Sequence, residues 1–116
     1  TTPAGHPLDG VDLMPLLAAN GKLAPRALFW HFPVYVQGTT SSASRWRATP
    51  ATVMRYGDYK LLEYFEYPGF SLFDLREDNG ERDDLAYRYP ALVEHLHDRM
   101  VRWRQKVTAP LPIARR

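Results

Sequence analysis

Two short turns constrain this chain more than any other feature. Gly57-Asp58 separates residues 52–56 from 59–66, and Tyr67-Pro68-Gly69 separates 59–66 from 70–75. Strands joined by two or three residues run antiparallel as neighbours, because a parallel return needs a crossover of about a dozen residues. Residues 52–75 are therefore expected to form a three-strand meander. Residues 27–32 are aromatic-rich and stopped by Pro33, which predicts a fourth strand at an edge or exposed end. The middle strand does not alternate cleanly: Leu61 and Leu62 are adjacent, and Tyr59, Tyr64 and Phe65 fall on both sides. Both sheet faces are expected to be covered.

The chain then changes period. After the charged stretch 76–88, Pro90 stands where a first helical position would be, and Leu92, Leu96, Met100, Trp103 and Val107 recur at spacings of four, four, three and four. This predicts one amphipathic helix laid on one sheet face, ended by Pro110 and Pro112. Near the start, Asp12 is expected to cap a short helix carrying Leu13, Met14, Leu16 and Leu17, closed by Asn20-Gly21. The fold class is α+β, a small antiparallel sheet of three to four strands packed against one C-terminal helix. Residues 1–26 read as a lead and linking helix, and 27–116 as the folded unit. Residues 37–44, rich in Gly, Thr and Ser, read as a surface loop.

Composition narrows the possible functions. With 116 residues, 45% of them hydrophobic, the chain suits one domain with a modest core. Fifteen Lys and Arg against 13 Asp and Glu leave a net charge of +2, too mild to imply nucleic acid or an anionic membrane. No apolar run is long enough to cross a bilayer, and residues 1–12 lack the pattern of a signal peptide. Without cysteine there is no disulfide, no thiolate nucleophile and no Cys-ligated zinc.

The remaining chemistry is sparse. His95 and His97 lie about 200° apart around a helix and cannot chelate one ion, while His6 stands in the lead; all three read as surface residues. The acidic run Glu77, Asp78, Glu81, Asp83, Asp84 fails the spacing of a calcium loop, and Asp78-Asn79-Gly80 reads as a turn. Glu63 and Glu66 are three apart on a strand, so they face opposite sides and make no acid–base pair. Arg45, Trp46 and Arg47 combine guanidinium donors with an aromatic face, a group suited to a sulfated or carboxylated sugar, although the plainer and favoured reading is a solvated loop anchored by its Trp. No catalytic residue and no metal ligand is assigned.

The order of segments resembles the C-terminal subdomain of the type I arylsulfatase family. That subdomain commonly carries an aromatic-His-aromatic-Pro strand, a Gly-Asp-aromatic-Lys-Leu hairpin and an aromatic-Asp-Leu strand before one helix. Here these are Trp30-His31-Phe32-Pro33, Gly57-Asp58-Tyr59-Lys60-Leu61 and Phe73-Asp74-Leu75. Leu8-Asp9-Gly10-Val11-Asp12-Leu13-Met14-Pro15-Leu16-Leu17 resembles the segment that leaves the family's catalytic domain, with Asp12 where Ser is common. Val34 stands where the family often has a second His, and Asp84 where it often has Asn.

The resemblance implies one end of a sulfuric ester hydrolase, forming a side wall of the substrate cleft. The C/S-x-P-x-R motif that is converted to formylglycine is absent from this sequence. Formylglycine and calcium are expected in a preceding catalytic domain of the same polypeptide, with no cofactor in these residues. The strand end after His31 would approach the cleft mouth, making His31 and Tyr35 candidates for substrate contact beside Arg45 and Arg47; the plainer reading makes His31 a strand residue held by backbone partners. The implied partners are the catalytic domain and a sulfated substrate, with no nucleic acid and no membrane. Exposed Leu13, Leu16, Leu17, Phe29 and Phe32 would drive self-association of these residues alone. Family resemblance suggests a periplasmic or exported location. The alternative is a free-standing binding or interaction module for sulfated or other anionic glycans.

Overall fold

A computed structural model of the chain describes residues 4–5, 8–18, 21–37 and 46–113, without the side chains of 36–37 and 46–48. The elements are α1 (Met14–Leu17), β1 (Leu28–Phe32), β2 (Val36–Gln37), β3 (Trp46–Ala48), β4 (Ala51–Tyr56), β5 (Tyr59–Tyr64), β6 (Gly69–Asp74) and α2 (Pro90–Val107). Four strands form one sheet in the order β1-β4-β5-β6, every pair antiparallel, and α2 packs on β4 and β5. The chain is α+β, with the aromatic strand at one edge of the meander.

Turn chemistry sets the register. Gly57 takes φ 59° at the first of two turn positions, where hairpin turns of this length favour glycine. Tyr56 then opposes Tyr59, and Thr52 opposes Glu63. With a side-chain period of two, Phe29, His31, Thr52, Met54, Leu61, Glu63, Phe70 and Leu72 share the face under the helix. The opposite face carries Trp30, Phe32, Val53, Arg55, Lys60, Leu62, Tyr64 and Phe73.

The core is small and apolar. Met54, Leu61 and Leu72 from the sheet meet Val93, Leu96 and Met100 from α2, with Phe29, Tyr56, Phe70, Leu85 and Leu92 packed around them. This stripe differs from the one expected from the sequence. Val93 is buried where Leu92 was expected, Trp103 is half-buried, and Val107 is 50% exposed. Past Met100 the stripe continues through Arg104, because the sheet row beneath that last turn is polar, with Thr52 beside Glu63. Trp103 sits to one side and stacks on Phe29, ring centroids 4.7 Å apart and planes 5° from parallel. Phe29 therefore belongs to the helix interface and not to an exposed patch.

One loop segment departs from the sequence reading, and the acidic run has the turn expected of it. β2 and β3 pair as a separate two-stranded sheet, so regular structure brackets the stretch read as a plain loop. The acidic run is a scaffold for the sheet edge. The Asp84 carboxylate accepts the Leu72 N–H at 3.0 Å and the Ala86 N–H at 2.9 Å, while the Leu72 carbonyl accepts the Leu85 N–H at 2.7 Å. Residues 84–85 thus cap the outer edge of β6, which would otherwise offer unpaired backbone groups to another chain. Partial burial works to raise the Asp84 pKa, yet these two N–H groups and the Ser71 hydroxyl stabilise the carboxylate and hold it below its ordinary value. Asp78 Oδ2 likewise accepts the Arg82 and Asp83 N–H groups, closing the turn expected at Asp78-Asn79-Gly80.

The N-terminal segment is organised locally. The cap of α1 is Leu13 and not Asp12 as expected; Asp12 stands one residue earlier, where its Oδ1 accepts the Met14 N–H at 2.9 Å, and Arg26 donates to the Asp9 carbonyl at 2.7 Å. A Cβ at Gly21 would run into the backbone carbonyl of Pro15, so the return past α1 requires glycine there. Asn20 lies outside the described residues. No residue of α1 is buried.

Candidate functional site

Of the sequence-derived candidates, His31 and Tyr35 lie at the end of the sheet where β1 finishes. His31 is half-buried and both of its ring nitrogens are engaged. Nε2 lies 2.6 Å from the Pro110 carbonyl and Nδ1 lies 2.8 Å from Thr52 Oγ1. A carbonyl only accepts, so Nε2 carries the proton, while Nδ1 shares a hydrogen bond with the Thr52 hydroxyl, which can donate or accept. Thr52, fully buried, in turn accepts from Arg104 Nη1 at 3.3 Å. Arg104 also donates to Glu63 Oε2, and Glu63 Oε1 meets His97 Nε2 at 3.2 Å. The result is one relay, His97–Glu63–Arg104–Thr52–His31–Pro110, running between sheet, helix and tail.

Local structure explains how the relay forms. Register places His31 opposite Thr52 and Thr52 opposite Glu63, a polar row crossing three strands. Arg104 reaches that row because it stands one turn beyond Met100 on the buried face of α2. After the helix, Thr108 turns left-handed at φ 52°, and the Ala109 N–H returns to the Arg104 carbonyl at 2.9 Å. That reversal delivers the Pro110 carbonyl to His31. Aromatic edges enclose the relay: His31 meets Phe65 and Trp103 edge-on at 6.0 and 6.4 Å, and His97 meets Phe70 at 4.8 Å. Among the described residues no buried side-chain nitrogen or oxygen lacks a hydrogen bond.

His31 is therefore a tie between sheet and tail, and its nitrogens meet protein groups. His97, expected on the surface, is instead part of the helix–sheet interface; its partner Glu63 is the reason, since a helix-facing carboxylate draws the imidazole inward. His95 does lie on the exposed side, where Arg99 Nε donates to it at 3.4 Å. Tyr35 is 43% exposed just past β1, and its hydroxyl donates to Glu66. Desolvation and that carboxylate push its pKa above the ordinary phenol value. Arg45 and His6 lie outside the described residues, as does the side chain of Arg47, whose backbone belongs to β3.

A second constellation was not singled out in the sequence. On the sheet face away from α2, a cleft of about 360 Å³ is lined by Trp30, Val53, Arg55, Lys60, Leu75 and Glu81. Lys60 Nζ pairs with Glu81 Oε1 at 2.6 Å. Its signal was available: Arg55 and Lys60 are register partners on one face of the first hairpin, two residues from the row that holds Trp30 and Val53. Reading each motif along the chain, rather than across strands, hid both this cleft and the relay.

Among the described residues no three His, Cys, Asp or Glu side chains converge on a point that would hold a metal ion, and no helix is long and apolar enough to cross a membrane. No protein-family model matches the chain, and no curated protein matches it at a significant level.

Proposed function

We propose that this chain is the C-terminal subdomain of a sulfuric ester hydrolase, a side wall of the substrate cleft without the formylglycine nucleophile. The order of its motifs carries the reading. Trp30-His31-Phe32-Pro33 forms the edge strand and the turn after it, Gly57-Asp58-Tyr59-Lys60-Leu61 the first hairpin, and Phe73-Asp74-Leu75 the outer strand with its exit, followed by one helix. Exposed apolar residues support it further. Leu8, Val11, Leu13, Met14, Leu16 and Leu17 are all at least 43% exposed, a density that calls for a covering surface. A catalytic domain of the same polypeptide, holding formylglycine and calcium, would supply that surface.

In this reading the wall binds and the absent domain performs the chemistry. Tyr35, Arg45 and Arg47 face the sulfated substrate, and His31 fixes the strand end that presents Tyr35. Kinetics of the complete polypeptide on an aryl sulfate test this assignment. Arg47→Ala should raise KM while leaving kcat near the parent value, because it removes binding shared by ground and transition states. Saturation kinetics identical to the parent's would remove Arg47 from the site.

A further inference from the structure

The cleft on the open sheet face combines features that the fold does not need. Trp30 is 53% exposed and lends its ring to one wall. It cannot touch the His31 relay, because consecutive strand residues point to opposite faces. Arg55 is exposed at the other wall, and no carboxylate among the described residues pairs with it. Lys60 is held by Glu81, so Arg55 is the cleft cation without a carboxylate partner among the described residues.

Glu81 adds the second observation. It adopts φ 52°, a left-handed conformation uncommon for a residue other than glycine, and this turn aims its carboxylate at Lys60 on the cleft rim. The rim therefore offers one fixed acceptor, one ammonium and one free planar guanidinium around an aromatic face. At about 360 Å³ the cleft falls at the small end of the range for small-ligand sites, about 300–1,000 Å³.

From this juxtaposition we infer that the Trp30–Arg55 cleft binds a sugar ring bearing one anionic group, a uronate or a sulfated sugar. Each part of the ligand has a counterpart. The ring stacks on Trp30, and the anion meets the Arg55 fork, whose parallel donors match a carboxylate or sulfate. Ring hydroxyls donate to Glu81, a contact that a plain aromatic acid without hydroxyl groups cannot make. Phe32 and Tyr64 lie at the far end of this face from Arg55 and Lys60.

Calorimetric titration of the chain with glucuronate, glucose 6-sulfate and glucose tests the inference, with the indole N–H resonances followed in parallel. At least one of the anionic sugars should bind roughly tenfold or more tightly than glucose, the margin of one charge-assisted contact. Binding should shift the Trp30 indole signal. Trp30→Ala and Arg55→Gln, both at exposed positions, should each weaken it by a similar factor, and Arg55→Lys should restore part of it. Binding of glucuronate alone or glucose 6-sulfate alone supports the cleft and fixes its anion. Equal affinity for all three sugars, no binding at all, or binding untouched by both variants overturns the inference. None of these readouts depends on ester hydrolysis, so failure of the sulfatase reading leaves the result standing, and the reverse holds too.

Discussion

Glu63 and Arg104 keep only 16% and 11% of their side-chain surface exposed, yet each is a full charge inside the helix–sheet interface. Removing charges from water is costly, and the pair persists because Thr52 and His97 complete its hydrogen bonds. Truncating one partner strands the other. Arg104→Leu should cost about 3–5 kcal/mol in denaturant unfolding, whereas the double variant Glu63→Leu with Arg104→Leu should recover much of that loss. An Arg104→Leu midpoint equal to the parent's would mean that the relay does not hold helix to sheet. His31 belongs to the same account: its value lies in tying Pro110 to Thr52, which neither the Trp-His-Phe-Pro motif nor any local pattern reveals.

Among the elements, α2 decides whether the sheet has a core. Leu96, 2% exposed, belongs to the buried cluster with Leu61 and Leu72, while Val107 at the helix end is half exposed. Leu96→Ala should destabilise the chain by about 2–5 kcal/mol, and Val107→Ala should stay within about 0.5 kcal/mol. Thermal or chemical unfolding that ranks the two in the opposite order would restore the stripe expected from the sequence. The helix, the meander and the aromatic edge strand were legible because turn length and hydrophobic period fix them locally. The stripe's rotation was not, since it depends on the polar row of Thr52 and Glu63, which only the strand register brings together. The same limit hid the edge-capping role of Asp84, whose partner Leu72 is twelve residues away, and the pairing of β2 with β3 across a stretch with no periodicity. For the candidate site the sequence offered residue types at His31, Tyr35, Arg45 and Arg47, without the partners that surround them.

For the molecule as a whole, one observation bears on partners: apolar side chains of the N-terminal segment meet no core. Leu13, Leu16 and Leu17 stay 49–76% exposed, and Phe32 and Val34 continue that character at the end of β1. Phe29, by contrast, is covered by Trp103. Residues 1–116 alone should therefore self-associate, with the sedimentation coefficient rising with concentration, and Leu16→Lys with Leu17→Lys should return the chain to a monomer. A strict monomer that binds no apolar dye would show that the segment needs no cover, favouring a free-standing binding module over a wall joined to a catalytic domain.

Sulfate release by the complete polypeptide decides whether residues 1–116 are the wall of a sulfuric ester hydrolase. The complete polypeptide should carry a C/S-x-P-x-R motif upstream of residue 1, hydrolyse an aryl sulfate in the presence of calcium and lose that hydrolysis when the motif's Cys or Ser becomes Ala, while residues 1–116 alone should show no turnover. A complete polypeptide that lacks the motif, or hydrolysis by residues 1–116 that substitutions within them abolish, would contradict it.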